Sequence, residues 1–171
     1  MLDTRWLHFI LNDRSVQVDL PPGLTVLEFL RDRERLTGTK AACWEGDCGS
    51  CQVLLGELIA GQMRYDAVNS CILPLGELAG RHLVTIEGLN GAELNPIQRI
   101  LVEYGAVQCG FCTPGLVVAL TGYLLNATAI DMSSALDNLG GNLCRCTGYV
   151  KIVDAVEAAA RVMRDKGSEP R

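Results

Sequence analysis

The stretch A-C-W-E-G-D-C-G-S-C, residues 42–51, carries three cysteines in one short loop. A fourth cysteine follows, and together they form a first set with the spacing C-x₄-C-x₂-C-x₁₉-C: Cys43, Cys48, Cys51 and Cys71. This is the spacing by which plant-type proteins hold a 2Fe–2S cluster. Gly46 and Gly49 permit the tight turns of a loop that wraps around a cluster and points its N–H groups inward. The first cysteine set therefore predicts a 2Fe–2S site.

Working outward from this loop, the remaining cysteines form a second set with the spacing C-x₂-C-x₃₁-C-x-C: Cys109, Cys112, Cys144 and Cys146. Gly110 lies inside the first of its two loops. Each loop comes just before a predicted helix, and a positive helix end stabilises an anionic cluster by roughly 0.3–1 kcal/mol when exposed. A four-thiolate cluster between two helix starts is therefore sensible, although this spacing alone does not separate it from zinc.

Two other uses of eight cysteines compete with clusters. Disulfides need an oxidising compartment, whereas residues 1–12 lack the features of a secretory signal and indicate a cytoplasmic protein. Structural zinc usually takes two C-x₂-C knuckles, and neither set contains two. Both alternatives are disfavoured by these patterns, but spacing does not eliminate zinc.

Composition excludes several other classes of function. The 171 residues are 49% apolar and 20% charged, which is typical of a globular protein. The net charge is −5 and Lys and Arg form no run, which argues against a nucleic-acid surface. No apolar stretch is long enough to span a bilayer.

The predicted secondary structure changes from mainly strands to helices near the middle of the chain. Strands are predicted over 5–11, 15–20, 52–59 and 83–87, with a short helix after a capping box at Thr25 and Glu28. After about residue 95, four helices are predicted, over 96–104, 113–125, 132–139 and 152–163. The first of these begins with Asn95 and Gln98 in a second capping box.

Four segments together resemble the iron–sulfur module of the xanthine dehydrogenase family of molybdenum hydroxylases. They are A-C-W-E-G-D-C-G-S-C (42–51), A-V-N-S-C-I-L-P-L (67–75), Q-C-G-F-C-T-P-G (108–115) and G-N-L-C-R-C-T-G-Y (141–149). The resemblance covers about residues 7–157. The last two segments in combination are highly specific.

The resemblance implies an α+β protein with two cluster-binding domains. Residues 1–88 are expected to form a plant-type 2Fe–2S ferredoxin β-grasp domain, and 89–94 a linker. Residues 95–165 are expected to form a four-helix 2Fe–2S-binding bundle, and 166–171 a polar tail. Each cysteine set would hold one cluster. Gln108 corresponds to a glutamine that contacts molybdopterin, and Cys146 to the ligand nearest the pterin.

The chain has neither the length nor the motifs for the molybdenum-binding domain, so no catalytic residue is expected in it. The resemblance implies an electron-transfer subunit that relays electrons from molybdopterin through two 2Fe–2S clusters to FAD or another acceptor. Expected partners are a large molybdopterin-binding subunit and a medium FAD-binding subunit, in a heterotrimer or a dimer of heterotrimers. A stand-alone ferredoxin-like carrier and a zinc-stabilised interaction module remain as alternatives.

Overall fold

A five-stranded mixed sheet dominates the first half of the computed structural model, which describes residues 6–91 and 93–167. The strand order is β2-β1-β5-β3-β4. The pairing of β1 with β5 is parallel and the other three pairings are antiparallel. The strands are β1 (Leu7–Leu11), β2 (Arg14–Val18), β3 (Gln52–Ile59), β4 (Gln62–Asn69) and β5 (His82–Val84).

β4 is a strand that is missing from the prediction. Half of its residues are exposed, yet polar and apolar residues alternate from Gln62 to Ala67, a pattern typical of a half-buried strand. It pairs with β3 along its whole length through a tight turn at Ala60 and Gly61, where φ is 49° and 81°. Two successive positive φ values give the turn the twist that a hairpin needs. Alanine is an unusual residue at such a position, which hides the turn in the sequence.

The strand predicted over 83–87 is wrong at its end, because β5 stops at Val84. The next residue turns away from the sheet: Thr85 N donates to Asn12 Oδ1 at 2.9 Å, and Thr85 Oγ1 donates to Glu87 Oε2 at 2.6 Å. A 3₁₀ turn over Glu87–Leu89 follows. These side-chain bonds end the strand at Val84, although the apolar pattern continues to Ile86.

The short helix α1 (Val26–Glu28) begins at the predicted capping box. Thr25 Oγ1 accepts a hydrogen bond from Glu28 N at 3.2 Å, and Glu28 Oε2 accepts one from Thr25 N at 3.0 Å. The helix continues as a π-helical turn over Phe29–Arg33. A 3₁₀ turn over Leu75–Leu78 lies before β5.

Four longer helices form the second half of the chain. The helix α2 starts at the predicted box, in which Asn95 Oδ1 accepts a hydrogen bond from Gln98 N at 2.9 Å. Of the predicted tail 166–171, the first two residues belong to the last helix and 168–171 lie outside the described residues. Among the helices described, none is long and apolar enough to cross a membrane. The helices are α2 (Pro96–Glu103), α3 (Thr113–Asn126), α4 (Met132–Asn138) and α5 (Val150–Gly167).

The two faces of the sheet are covered by different layers. Because side chains alternate along a strand, Val53 and Leu54 of β3 point to opposite faces. Val53 packs in a core with α1, and Leu54 packs in a second core built mainly by α2 to α5. Val84 and Ile86 also contribute to the helical core. The arrangement confirms the predicted α+β class, with the sheet between α1 and the helical layer.

A side chain of α3 reaches the edge strand of the sheet. Asn126 Nδ2 donates to Tyr65 O at 2.6 Å, and Asn126 Oδ1 accepts from Tyr65 N at 3.2 Å. One amide side chain therefore pairs with both backbone groups of a β4 residue. The helical layer and the sheet are joined here by hydrogen bonds in addition to apolar packing.

Candidate metal centres

The first cysteine set is assembled by a loop and a strand end. Cys43, Cys48 and Cys51 lie on the loop between α1 and β3, and Cys71 follows β4. The Cys43 thiol contacts that of Cys48, and the Cys71 thiol contacts that of Cys51. Cys51 and Cys71 are buried, with 2% and 4% of their surface exposed. The structure thus brings the four cysteines of the predicted first set together, as two pairs of contacting thiols.

The second cysteine set is assembled at two helix starts. Cys112 is the residue that caps α3, and the loop with Cys144 and Cys146 leads into α5. The Sγ atoms of Cys109 and Cys146 are 3.5 Å apart, and Cys112 contacts Cys144. This set also consists of two thiol pairs. In contrast to the first set, one of its pairs, Cys109 and Cys146, is exposed.

The pairwise grouping fits a two-iron cluster. A structural zinc ion requires four ligands around a single point. A 2Fe–2S cluster instead takes two ligands on each of its two irons. Two pairs of thiols in each set are the donors that such a cluster requires.

The three predicted loop glycines all adopt left-handed backbone conformations. Their φ angles are 87° at Gly46, 68° at Gly49 and 81° at Gly110. Residues with a Cβ rarely adopt this region, so glycine is the residue that fits each turn. At Gly46 the neighbouring space is also filled, because an added Cβ would lie 2.8 Å from Ile72 Cδ1.

The thiols differ in how readily they lose their protons. The backbone N–H of Glu45 lowers the pKa of Cys43 to about 6. Burial raises the pKa of Cys71 to about 12, and it raises the pKa of Cys112 to about 12. The half-buried Cys43 thiol is therefore ready as a ligand, whereas Cys71 and Cys112 would lose their protons when metal binds. Metal loading of these sites should release protons.

Hydrogen bonds hold the loops in place from outside the cysteine sets. Tyr149 Oη accepts a hydrogen bond from Cys144 N at 2.8 Å, and the Thr147 hydroxyl lies 3.1 Å from Cys144 Sγ. In the first loop, Ser70 Oγ donates to Cys51 O at 2.6 Å, and Asn69 donates to Gly46 O. No such role for these residues follows from the spacing of the cysteines, although all of them lie in or beside the four motif segments.

The second cysteine set lies at an exposed surface with apolar neighbours. Gln108 is exposed directly before Cys109. Four large apolar side chains of the adjoining loops and the start of α5 are also exposed. They are Phe111 (44%), Leu143 (56%), Tyr149 (39%) and Val150 (65%). An apolar surface around exposed thiols suits contact with another protein surface.

Comparisons with known proteins agree with this geometry. A model described as a 2Fe–2S iron-sulfur cluster binding domain matches residues 9–75, and a model described as a [2Fe-2S] binding domain matches residues 85–157. Xanthine dehydrogenase from Blastobotrys adeninivorans is 43% identical over 159 residues, which are 89% of this chain and 11% of that protein. Aldehyde oxidase 1 from Rattus norvegicus is 36% identical, over 91% of this chain and 12% of that protein. The chain thus spans about an eighth or less of these curated relatives.

Two solved structures are similar over nearly the whole chain. A chain of quinoline 2-oxidoreductase from Pseudomonas putida has a TM-score of 0.78 and 32% identity, covering 94% of this chain and 96% of that one. The aldehyde oxidoreductase from Desulfovibrio desulfuricans has a TM-score of 0.82 and 32% identity, covering 95% of this chain and 17% of that one. The present chain belongs to the xanthine dehydrogenase family of molybdenum hydroxylases, as the part with two 2Fe–2S binding domains.

Proposed function

We propose that this chain is the electron-transfer part of a larger molybdenum hydroxylase. It would carry single electrons from a molybdopterin centre on a partner polypeptide to FAD or another acceptor. When bound, each 2Fe–2S cluster supplies one-electron redox chemistry. The observation that carries the proposal is the assembly of eight cysteines into two sets of two thiol pairs.

We assign the ligands to the clusters by set. One cluster would be held by Cys43, Cys48, Cys51 and Cys71, and the other by Cys109, Cys112, Cys144 and Cys146. The loop glycines Gly46, Gly49 and Gly110 let the backbone curve around the clusters. Hydrogen bonds and burial then tune the potentials. The chain residues would be divided accordingly into a ferredoxin domain (1–88), a linker (89–94) and a helical domain (95–165).

The second cysteine set is the one that we place next to molybdopterin. Its support is exposure, since Cys109 and Cys146 reach the surface whereas Cys51 and Cys71 of the first set are buried. Gln108 is exposed beside this pair and could donate or accept hydrogen bonds at a pterin edge. Cys146 would be the ligand nearest to the pterin.

The proposed partners rest on the chain's membership of the molybdenum hydroxylases. A large molybdopterin-binding subunit would carry the substrate chemistry, and a medium FAD-binding subunit would accept electrons from the first cluster. The assembly would be a heterotrimer or a dimer of heterotrimers. Reducing compartments keep cysteine thiols free, so we propose that it works in the cytoplasm; cell fractionation with an antibody to the chain tests this location.

The decisive experiment is anaerobic purification of the chain with whatever co-purifies, followed by iron and sulfide counts and EPR after dithionite reduction. The proposal expects about four irons per chain and two distinct spin-½ signals. Co-purified molybdenum and flavin would support the multi-subunit assembly. Zinc without iron would overturn electron transfer, and two irons with one signal would limit the chain to a single-cluster carrier.

Serine variants test the order of the relay. Cys43→Ser should damage the first cluster and block electron exit, while molybdenum stays reducible by substrate. Cys146→Ser should damage the second cluster and impair transfer out of molybdenum itself. Rapid-mixing EPR of the two holoenzymes distinguishes these outcomes. Identical behaviour of both variants would show that the proposed order is wrong.

A further inference from the structure

The two cysteine loops touch each other although they are distant in the sequence. Leu143 N donates a hydrogen bond to Cys48 O at 3.0 Å. Leu143 directly precedes Cys144 of the second set, and Cys48 belongs to the first. A single hydrogen bond therefore joins the backbones of the two proposed cluster loops.

The residue before Leu143 strengthens this contact with its side chain. Asn142 is 3% exposed, and its Nδ2 donates to Gly49 O at 3.2 Å and to Gln52 Oε1 at 2.9 Å. Both protons of one amide thus go to residues more than eighty positions away. Among the described residues, Asn142 Oδ1 has no hydrogen-bond partner. The donor side of the amide is therefore what connects the loops.

Close packing surrounds the same amide. An added Cβ at Gly49 would lie 2.5 Å from Asn142 Nδ2, so the first loop approaches the amide as closely as glycine allows. An added Cβ at Gly115 would collide with the Gly49 carbonyl oxygen. Gly115 lies in the first turn of α3, three residues after Cys112. The loop of the first cysteine set therefore packs tightly against two segments that belong to the second set.

We propose that Asn142 is a positioning residue that locks the two cysteine loops together and fixes the separation and orientation of the two clusters. The inference rests on the proposed function, because it concerns how two bound clusters face each other. Electron exchange between two centres falls steeply as their separation grows. A donor that fixes the relation between both loops would keep this exchange fast.

The test uses the full chain loaded with clusters, compared with an Asn142→Ala variant. The backbone bond from Leu143 N to Cys48 O does not involve the substituted side chain, so the loops should stay in contact but become less strictly oriented. We expect about four irons and both EPR signals, with loss or change of the magnetic splitting between the two reduced clusters. Electron exchange between the clusters after rapid photoreduction should slow several-fold.

The matched control is Asn138→Ala, which removes an exposed amide four residues earlier whose Nδ2 donates to Ser134 O within α4. Its splitting and exchange rate should equal those of the wild type. A purely structural role of Asn142 would lower stability without moving the splitting. Wild-type splitting and exchange in Asn142→Ala, with both clusters present, would overturn the proposal.

If the Asn142→Ala variant does not assemble its clusters, the Gln52→Ala variant tests the proposed lock instead. It removes one acceptor of the Asn142 amide and leaves both loop sequences intact. A changed splitting in this variant supports the lock, and a wild-type splitting overturns it. Absence of two EPR signals from the wild-type chain itself would instead overturn the proposed function and, with it, this inference.

Discussion

At the scale of single residues, Gly115 offers a sharp test of the packing between the cysteine loops. A Gly→Ala change inside a helix ordinarily stabilises a protein by about 0.5–1 kcal/mol. At Gly115 the new methyl group would meet the rigid Gly49 carbonyl. We expect Gly115→Ala to lower the free energy of unfolding by about 1–3 kcal/mol, as overpacking does. Anaerobic urea unfolding at matched iron content measures the change.

Gly122→Ala is the matched control, since Gly122 lies in the same helix. Its added Cβ would lie 3.0 Å from Leu54 Cδ2, the movable end of a side chain. The helix preference and the small strain should nearly cancel, leaving the variant within about 1 kcal/mol of the wild type. Equal stability of the Gly115 and Gly122 variants would contradict the tight contact.

The cysteines illustrate what can be predicted at this scale. Their spacing predicts two sets of four, and the structure brings each set together. The pairing within a set is not visible in the sequence, because it depends on which loops meet in space: Cys109 pairs with Cys146, not with the nearer Cys112. The contacts of Asn142 are hidden for the same reason, because they reach Gly49 and Gln52 about ninety positions away.

At the scale of elements, the capping box of α2 should contribute measurably to stability. Asn95 accepts a hydrogen bond from Gln98 N, a donor that the helix itself leaves unpaired. Asn95→Ala should lower the free energy of unfolding by about 1 kcal/mol. Asn95→Ser keeps an acceptor at the cap and should remain close to the wild type. Denaturation curves of both variants check this, and equal losses would argue against the cap.

Helix starts are the elements that the sequence predicts best. The boxes at Thr25 and Asn95 are local patterns, and both are present. Strand limits are less visible, because they depend on partners far along the chain. β5 ends where Asn12 binds Thr85, 73 residues away. The last helix is also longer than its apolar pattern, running over Val150–Gly167.

At the scale of the whole molecule, the shared core should make the helical part depend on the sheet. Leu54, Val84 and Ile86 are buried in the same core as α2 to α5. We expect a fragment of residues 95–171 to lack cooperative thermal unfolding, because α3 loses the sheet against which it packs. Circular dichroism of the fragment measures this. Adding a separate fragment of residues 1–94 should restore the transition.

A sharp transition of the helical fragment alone would contradict this dependence. The sequence predicts both halves of the molecule, since each has its own motifs and element pattern. It does not predict how α3 lies on the sheet. The reason is that β3 carries adjacent apolar residues, Val53 and Leu54, whose separate destinations appear only once both faces of the sheet are covered.

The pairing of Asn126 with Tyr65 has a consequence for how the sheet edge meets other chains. β4 is one of the two edge strands of the sheet, and an edge strand invites a second copy to add its own strand. The Asn126 amide already uses both backbone groups of Tyr65, so an incoming strand cannot continue past this residue without displacing it. At this edge, one side-chain amide therefore works against the strand-by-strand growth of sheet-like polymers.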